Sequence, residues 1–170
     1  MPYKVWNGPA PTTASQAAVT TGTALKTMLQ IATPSTRQIQ LISWGYSIES
    51  GPSTGPLKVE LLQTDVAATV TAHVASGVQN LDPNGTASLV TLGTSATGYT
   101  ATVEGTPTAS RVFDFATIGP NSSSAATLDY AYQWMPDERP IVAVSKFLRV
   151  RATFATAANM VCWVVFNEVG

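Results

Sequence analysis

The chain is short of almost everything that catalysis and nucleic-acid binding draw on. It holds one cysteine and one histidine in 170 residues, and its 9 Lys and Arg stand against 10 Asp and Glu. Charged residues make up 11% of it, well under the roughly 25% of an average soluble domain. A lone cysteine, Cys162, excludes an intrachain disulfide framework and a cysteine-rich zinc site. It sits inside an apolar run, where an inert buried thiol is expected. With a formal net charge of −1 and no cluster of Lys or Arg, the chain offers neither nucleic acid nor an anionic membrane the basic patch it needs. No apolar run approaches the ~18 residues of a membrane span. The opening MPYKVWNGPAP lacks the charged start and apolar stretch of a signal peptide. Synthesis and retention in a cytoplasm are therefore expected, unless the chain leaves inside an assembly or by lysis.

The same scarcity bears on catalysis. A Ser-His-Asp site would have to use His73, but its segment VTAHVAS carries no neighbouring carboxylate and the chain has no Gly-x-Ser-x-Gly elbow. A structural histidine, exposed or hydrogen-bonded, is expected instead. The acids are spread singly, mostly in turns and strand ends, with no pattern for a carboxylate pair. Asp82-Pro83-Asn84-Gly85 lacks the alternating ligands and closing Glu of a calcium loop and reads as a plain turn. Asn84-Gly85-Thr86 and Asn121-Ser122-Ser123 match glycosylation acceptors, which mean nothing without a secretory signal. The expectation is a protein that is not an enzyme and has no cofactor and no metal.

What fills the chain is hydrophobic residues, at 45%, with Ala, Thr, Ser and Gly. A surface of small hydroxylated residues suits extended structure packed against neighbours. Residues 1–22 change character within themselves: Tyr3, Val5 and Trp6 form an apolar tip, and a Pro/Thr/Ala/Ser tract follows in which Pro9 and Pro11 rule out regular helix. An extended N-terminal arm is expected there, followed by one domain over 23–170. Its apolar tip is either a frayed end or an anchor for a partner.

From Leu25 the apolar period is two. LKTMLQI sets Leu25, Leu29 and Ile31 on one face. In RQIQLISWGYSIES, Ile39 and Leu41 share a face, and the phase then shifts at Leu41-Ile42, as a β-bulge shifts it. Gly45 inside this strand marks a bend or a close backbone approach. GPSTGP reads as a turn, and LKVELLQ as a further strand. ATVTAHVASGV leans to strand, while residues 93–110 read as a long surface loop or a flat edge hairpin. ATLDYAYQW puts Leu128, Tyr130, Tyr132 and Trp134 on one face, where core packing is expected over a sugar-stacking platform because Ala131 and Gln133 supply the other face. FLRVRATF alternates Leu148, Val150, Ala152 and Phe154 with Phe147, Arg149, Arg151 and Thr153. Arg149 and Arg151 are either a grip for a partner carboxylate or solvated charges. The closing NMVCWVVFNEVG is apolar on both faces, as a central covered strand is. Short strands at close spacing without an amphipathic helix predict an all-β chain, an antiparallel β-sandwich of jelly-roll type.

The segment YQWMPDERPIVAVSKFLRVRATFATAANMVCWVVFNEVG resembles the ends of capsid decoration (cement) proteins of tailed bacteriophages. The matching residues are Pro136 and Pro140, Leu148-Arg149-Val150, Ala157-Ala158-Asn159 and Phe166-Asn167-Glu168. QIQLISWGYSIES and GPLKVELLQT look like the first sandwich strands of such proteins, so the likeness spans about residues 25–170. It implies a jelly-roll subunit on the outside of an icosahedral head, bound to the major capsid protein shell and standing as a homotrimer. Tyr3, Val5 and Trp6 would then anchor the arm on a neighbour or the shell, with Arg149 and Arg151 as further partner-binding residues. A tail or fibre component, or a carbohydrate- or receptor-binding sandwich, is the alternative.

Overall fold

The alternating pattern resolves into β-strands throughout the computed structural model, which describes residues 1–12, 15–49, 52, 54–120 and 128–170. In chain order they are β1 (Pro2–Trp6), β2 (Val19–Thr20), β3 (Leu25–Ala32), β4 (Gln38–Glu49), β5 (Leu57–Thr64), β6 (Thr69–Ala72) and β7 (Val78–Asn80). Then follow β8 (Gly98–Val103), β9 (Ser110–Ile118), β10 (Leu128–Gln133), β11 (Ile141–Val142), β12 (Phe147–Thr153) and β13 (Asn159–Val169). Among the described residues the helical content is two short 3-10 turns, Ala75–Gly77 and Pro136–Glu138. The strands form two antiparallel sheets. One runs β10-β4-β13-β1-β7, with β11 beside β4 and β2 beside β13; the other runs β6-β8-β3-β12-β5-β9. The chain is an all-β sandwich, as its alternation predicts. Part of the turn expected at 51–56 and all of Asn121-Ser122-Ser123 lie outside the described residues.

The inward faces make one core. From the first sheet come Ile39, Leu41, Trp44, Tyr46, Ile48, Met160, Cys162, Val164 and Phe166; from the second come Leu57, Val59, Leu61, Leu148, Val150, Ala152 and the flanking Phe154. β13 lies between β4 and β1, and its alternate side chains from Met160 to Phe166 are sealed. The bulge falls where the alternation shifts. Val165 pairs with Ser43 and Phe166 with Leu41, leaving Ile42 as the extra residue. It lets Ile39 and Leu41 point inward before it, and Trp44, Tyr46 and Ile48 after it. It also marks where β4 exchanges one edge neighbour, β11, for the other, β10.

Gly45 is a close approach. A Cβ there would stand 2.6 Å from the Tyr130 carbonyl oxygen and 2.8 Å from Cζ2 of Trp163, whose ring lies across the glycine from the neighbouring strand. Backbone cannot give way as a flexible side chain can, so Gly45→Ala is expected to cost about 1–3 kcal/mol. Thermal melts of the variant measure it; an unchanged midpoint would mean that β10 is free to shift outward.

The first six residues are not an arm standing apart from the domain. β1 is an interior strand, paired with β13 along Pro2–Trp6 and with β7 along Tyr3–Val5. Alternation gives the physical reason: Tyr3 and Val5 supply an apolar face that completes the core, while Lys4 and Trp6 face out. After β1 the chain leaves the sheet, and Asn7 covers the gap. Its side chain is fully buried, donating from Nδ2 to the Met160 carbonyl (2.9 Å) and accepting at Oδ1 from the Cys162 N–H (2.8 Å). The amide stands in for the missing strand until β2 pairs with Asn159 and Met160.

Residues 93–110 contain a strand, β8, that pairs with β3 only through Tyr99 and Gly98 and carries β6 on its far side. This β6–β8 flap and its flanking loops cover part of the outer face of the second sheet. The proof is in the outward side chains beneath it: Gln30, Leu62 and Arg149 alternate with core residues yet are fully buried. Gln30 accepts from the Ala68 N–H (2.8 Å) and donates to the carbonyls of Ala68 (3.2 Å) and Ala96 (2.6 Å). The flap's own apolar cluster is small, Ala68, Val70 and Ala101, so polar contacts hold it down.

Candidate interaction surface

The five residues singled out in the sequence separate. Tyr3 and Val5 are core residues. The Tyr3 ring lies 5.7 Å from that of Phe166 and its hydroxyl donates to the Thr86 carbonyl (3.2 Å), while Val5 is wholly buried. Only Trp6 of the three faces outward, half-buried on the outer face of the first sheet. Arg149 is neither solvated nor presented to a partner. It donates to the Glu104 carbonyl (3.0 Å) and the Val66 carbonyl, and its Nη1 is 3.5 Å from a Glu104 carboxylate oxygen. Burial lowers its pKa, opposed by the Glu104 charge. Arg151 is also engaged within the chain, with Nη2 2.6 Å and Nε 2.8 Å from the Glu60 carboxylate on the paired strand. For Arg149 both expectations are thereby corrected, while Arg151 stays partly exposed in an ion pair within the chain. The reason is the flap over Arg149 and the cross-strand acid beside Arg151.

His73 is hydrogen-bonded, structural and buried. Its Nε2 lies 2.8 Å from the Trp6 carbonyl, so Nε2 carries the proton, and its ring packs 4.9 Å from that of Tyr99. Nδ1 is buried without a partner. Protonating it would place an unpaired charge in the interior, and burial accordingly holds the pKa below the ordinary 6.5. A folded-state pKa below the unfolded one means that the unfolded chain binds the proton first. Stability from this group is full above pH 6.5 and falls as the pH drops below it. Thermal melts between pH 8 and pH 5 are expected to show that loss, and His73→Gln, which keeps a donor for Trp6 and cannot titrate, to flatten it. An equally steep fall in the variant would place the effect elsewhere.

Among the described residues, one side of the sandwich has no strand across its edges. β9 ends the second sheet and β10, with β11, borders the first, so two strand edges lie one above the other without partners among the described residues. Asp114 of β9 ties them together. Its Oδ2 accepts from Trp44 Nε1 (2.8 Å) and from the Tyr130 hydroxyl (2.7 Å), and its Oδ1 accepts from the Phe115 N–H (2.8 Å). Burial, then the bond to Asp114, pushes the Tyr130 phenol up to about 12; burial also raises Tyr46, which stacks on Tyr130 at 5.3 Å. Tyr130 therefore packs in the core with Trp44 and Tyr46, and Trp134 is buried beside Tyr132, so this aromatic row is core and rim. On the outer face of β9, Val112 and Phe115 are exposed, as are Tyr132 and Met135 at the other sheet's border, at 43–68%. Alternation alone puts Val112 and Phe115 on opposite faces; a bulge at Phe113 brings them to one, and nothing in the sequence says that β9 ends a sheet.

Other groups are already engaged. A cleft of about 420 Å³ bordered by Tyr3, Arg37 and Glu168 has its carboxylate tied to the Ser88 hydroxyl and the Leu89 N–H. Cys162 is sealed in the core, where burial pushes its thiol up and away from the reactive thiolate. Among the described residues no three His, Cys, Asp or Glu side chains gather as metal ligands, and no helix is long and apolar enough to cross a membrane. What the geometry offers is surface for association through strand edges and exposed apolar side chains. Compared with known proteins, the chain matches no family model, no curated protein and no solved structure.

Proposed function

We propose that this chain is a structural subunit of a virus particle, a decoration protein that binds the outside of an icosahedral phage head and stabilises contacts between its capsomers. The observation that carries the reading is the open side of the sandwich. Two strand edges without partners among the described residues, together with exposed Val112, Phe115, Tyr132 and Met135, offer surface suited to burial against another chain. The resemblance of the C-terminal third supplies the particle, the major capsid protein as partner and a homotrimer as the form. In such a lattice a weak footprint repeated by symmetry adds avidity without a tight single contact. The scarcity of charge supports a subunit packed among neighbours.

The test is the copy number of this chain in purified particles from its source, by quantitative mass spectrometry. Copies in fixed ratio to the major shell protein are expected. A few copies confined to the tail would move the reading to a tail or fibre component, and absence from particles would withdraw it.

A further inference from the structure

On the outer face of the first sheet, away from the β9–β10 side, two indoles lie side by side. Trp6 and Trp163 are cross-strand partners, and the next position in the same row is Gly45. Because Gly45 has no Cβ, the Trp163 ring rests against the backbone of β4. From the other strand, the Lys4 ammonium stands 4.1 Å from the Trp6 ring centroid and 4.5 Å from that of Trp163. Both rings are thus held in place before any ligand arrives, which removes part of the ordering cost of binding. Both remain partly exposed. The row on one side holds Gln79, Lys4, Val165 and Ser43, and the row on the other holds Val161 and Ser47.

We propose that this face binds a neutral oligosaccharide: the Lys4 ammonium swings off the indoles, sugar rings stack on Trp6 and Trp163 in its place, and Lys4, Ser43, Ser47 and Gln79 bond their hydroxyls. A pyranose has an apolar C–H face and a rim of hydroxyls, and it asks for flat aromatic surface bordered by groups that both donate and accept. The indoles supply the first, the serine hydroxyls and the glutamine amide the second. A protein partner fits less well, because the centre of a protein interface is continuous apolar surface, whereas here Val165 is buried and the two indoles and Val161 are bordered by two hydroxyls, an amide and an ammonium. Charge argues for a neutral ligand. The cation touching the rings is Lys4, already engaged with both of them, so a sulfated or uronic chain would lack the basic surface it needs.

The experiment is titration of the full-length protein with cellohexaose, chitohexaose and mannohexaose, followed by calorimetry and by tryptophan fluorescence. Trp44 and Trp134 are buried in the core, so a change in emission reports Trp6 and Trp163. Binding of at least one of these sugars is expected, weakened about tenfold by Trp6→Ala or Trp163→Ala, the scale seen when flat rings lose an aromatic stacking partner. If those variants fold poorly, Ser43→Arg keeps the question open to refutation: it crowds the face from an outward position, and binding should fall while the melting midpoint holds. No binding by any of the three at millimolar concentration overturns the proposal, as does binding that all three variants leave intact. Copy number in particles is a separate measurement, so either reading can fail while the other stands.

Discussion

Replacing Arg149 with methionine (Arg149→Met) is expected to lower the free energy of unfolding by about 3–5 kcal/mol, the scale for breaking a buried charged pair from one side. The loss comes from what the guanidinium leaves behind. The carbonyls of Val66 and Glu104 lose their donors beneath the flap, and the Glu104 carboxylate loses its countercharge. Glu104 still accepts from the Thr27 N–H (2.5 Å) and the Thr27 hydroxyl (2.6 Å), so the flap keeps this pin on β3 beside those of Gln30. With a urea slope of about 2 kcal/mol per molar, the midpoint should fall by roughly 1.5–2.5 M. Hydrogen exchange gives the location. The amides of β6 and β8 should lose protection while those of β4 and β13 keep theirs relative to the new global stability. Glu104→Gln should cost less, because its oxygen still accepts, and a double-mutant cycle isolates the coupling between the two. If Arg149→Met melts within half a unit of urea molarity of the parent, about 1 kcal/mol on that slope, the flap is held by something other than this contact.

That contact is where the sequence was least legible. Alternation in FLRVRATF places Arg149 opposite Leu148 and Val150 correctly, and on a bare sheet an outward arginine would be solvated. The cover comes from residues 65–68 and 94–104; the second stretch, small residues without a hydrophobic period, reads as a long surface loop or a flat edge hairpin because its order depends on polar pins such as Gln30 and Glu104. In β4 and β13 the pattern was enough, whereas in β3 a bulge at Met28 parts the exposed Leu25 from the buried Leu29 and Ile31, which alternation had put on one face. The shift at Ile42, the tight place at Gly45 and the central position of β13 all follow from residues that leave few alternatives. The N-terminus shows a finer failure. Tyr3, Val5 and Trp6 look like one apolar patch, but a strand sends Tyr3 and Val5 one way and Trp6 the other. The proline-rich tract behind them suggested an arm, and Asn7, whose buried amide fixes the exit from the sheet, has no sequence signal beyond following an alternating run. The open side formed by β9 and β10 was illegible for a different reason. Which strand ends a sheet is decided by long-range pairing, not by the strand's own residues.

Deleting residues 1–7 is expected to abolish cooperative folding, where removal of a true arm would leave the domain intact. β1 is bonded along both edges, and β7 is held in the sheet through β1 alone. The deletion therefore uncovers an edge of β13, releases β7 and empties the space filled by Tyr3 and Val5. Each of those two side chains contributes about 1.5–3 kcal/mol by burial, and the Asn7 bonds and two hydrogen-bonded ladders add to it. The total is comparable with the roughly 5–15 kcal/mol by which a domain is stable at all. Near-UV circular dichroism and a thermal melt decide it: loss of the aromatic signal and of a sigmoidal transition is the expected result. A milder variant sets the scale. Val5→Ala should fold but melt earlier, at a cost of about 1–3 kcal/mol. Supplying residues 1–7 as a free peptide should restore the aromatic signal in a concentration-dependent way, because the uncovered edge of β13 accepts a strand from outside as from its own chain and β7 can then pair with that strand. A truncated protein that melts within a few degrees of the parent would return β1 to the status of an arm. Tyr3 and Val5 would then be free to anchor on a neighbour or the shell, and the slot beside β13 would be open to a strand from either.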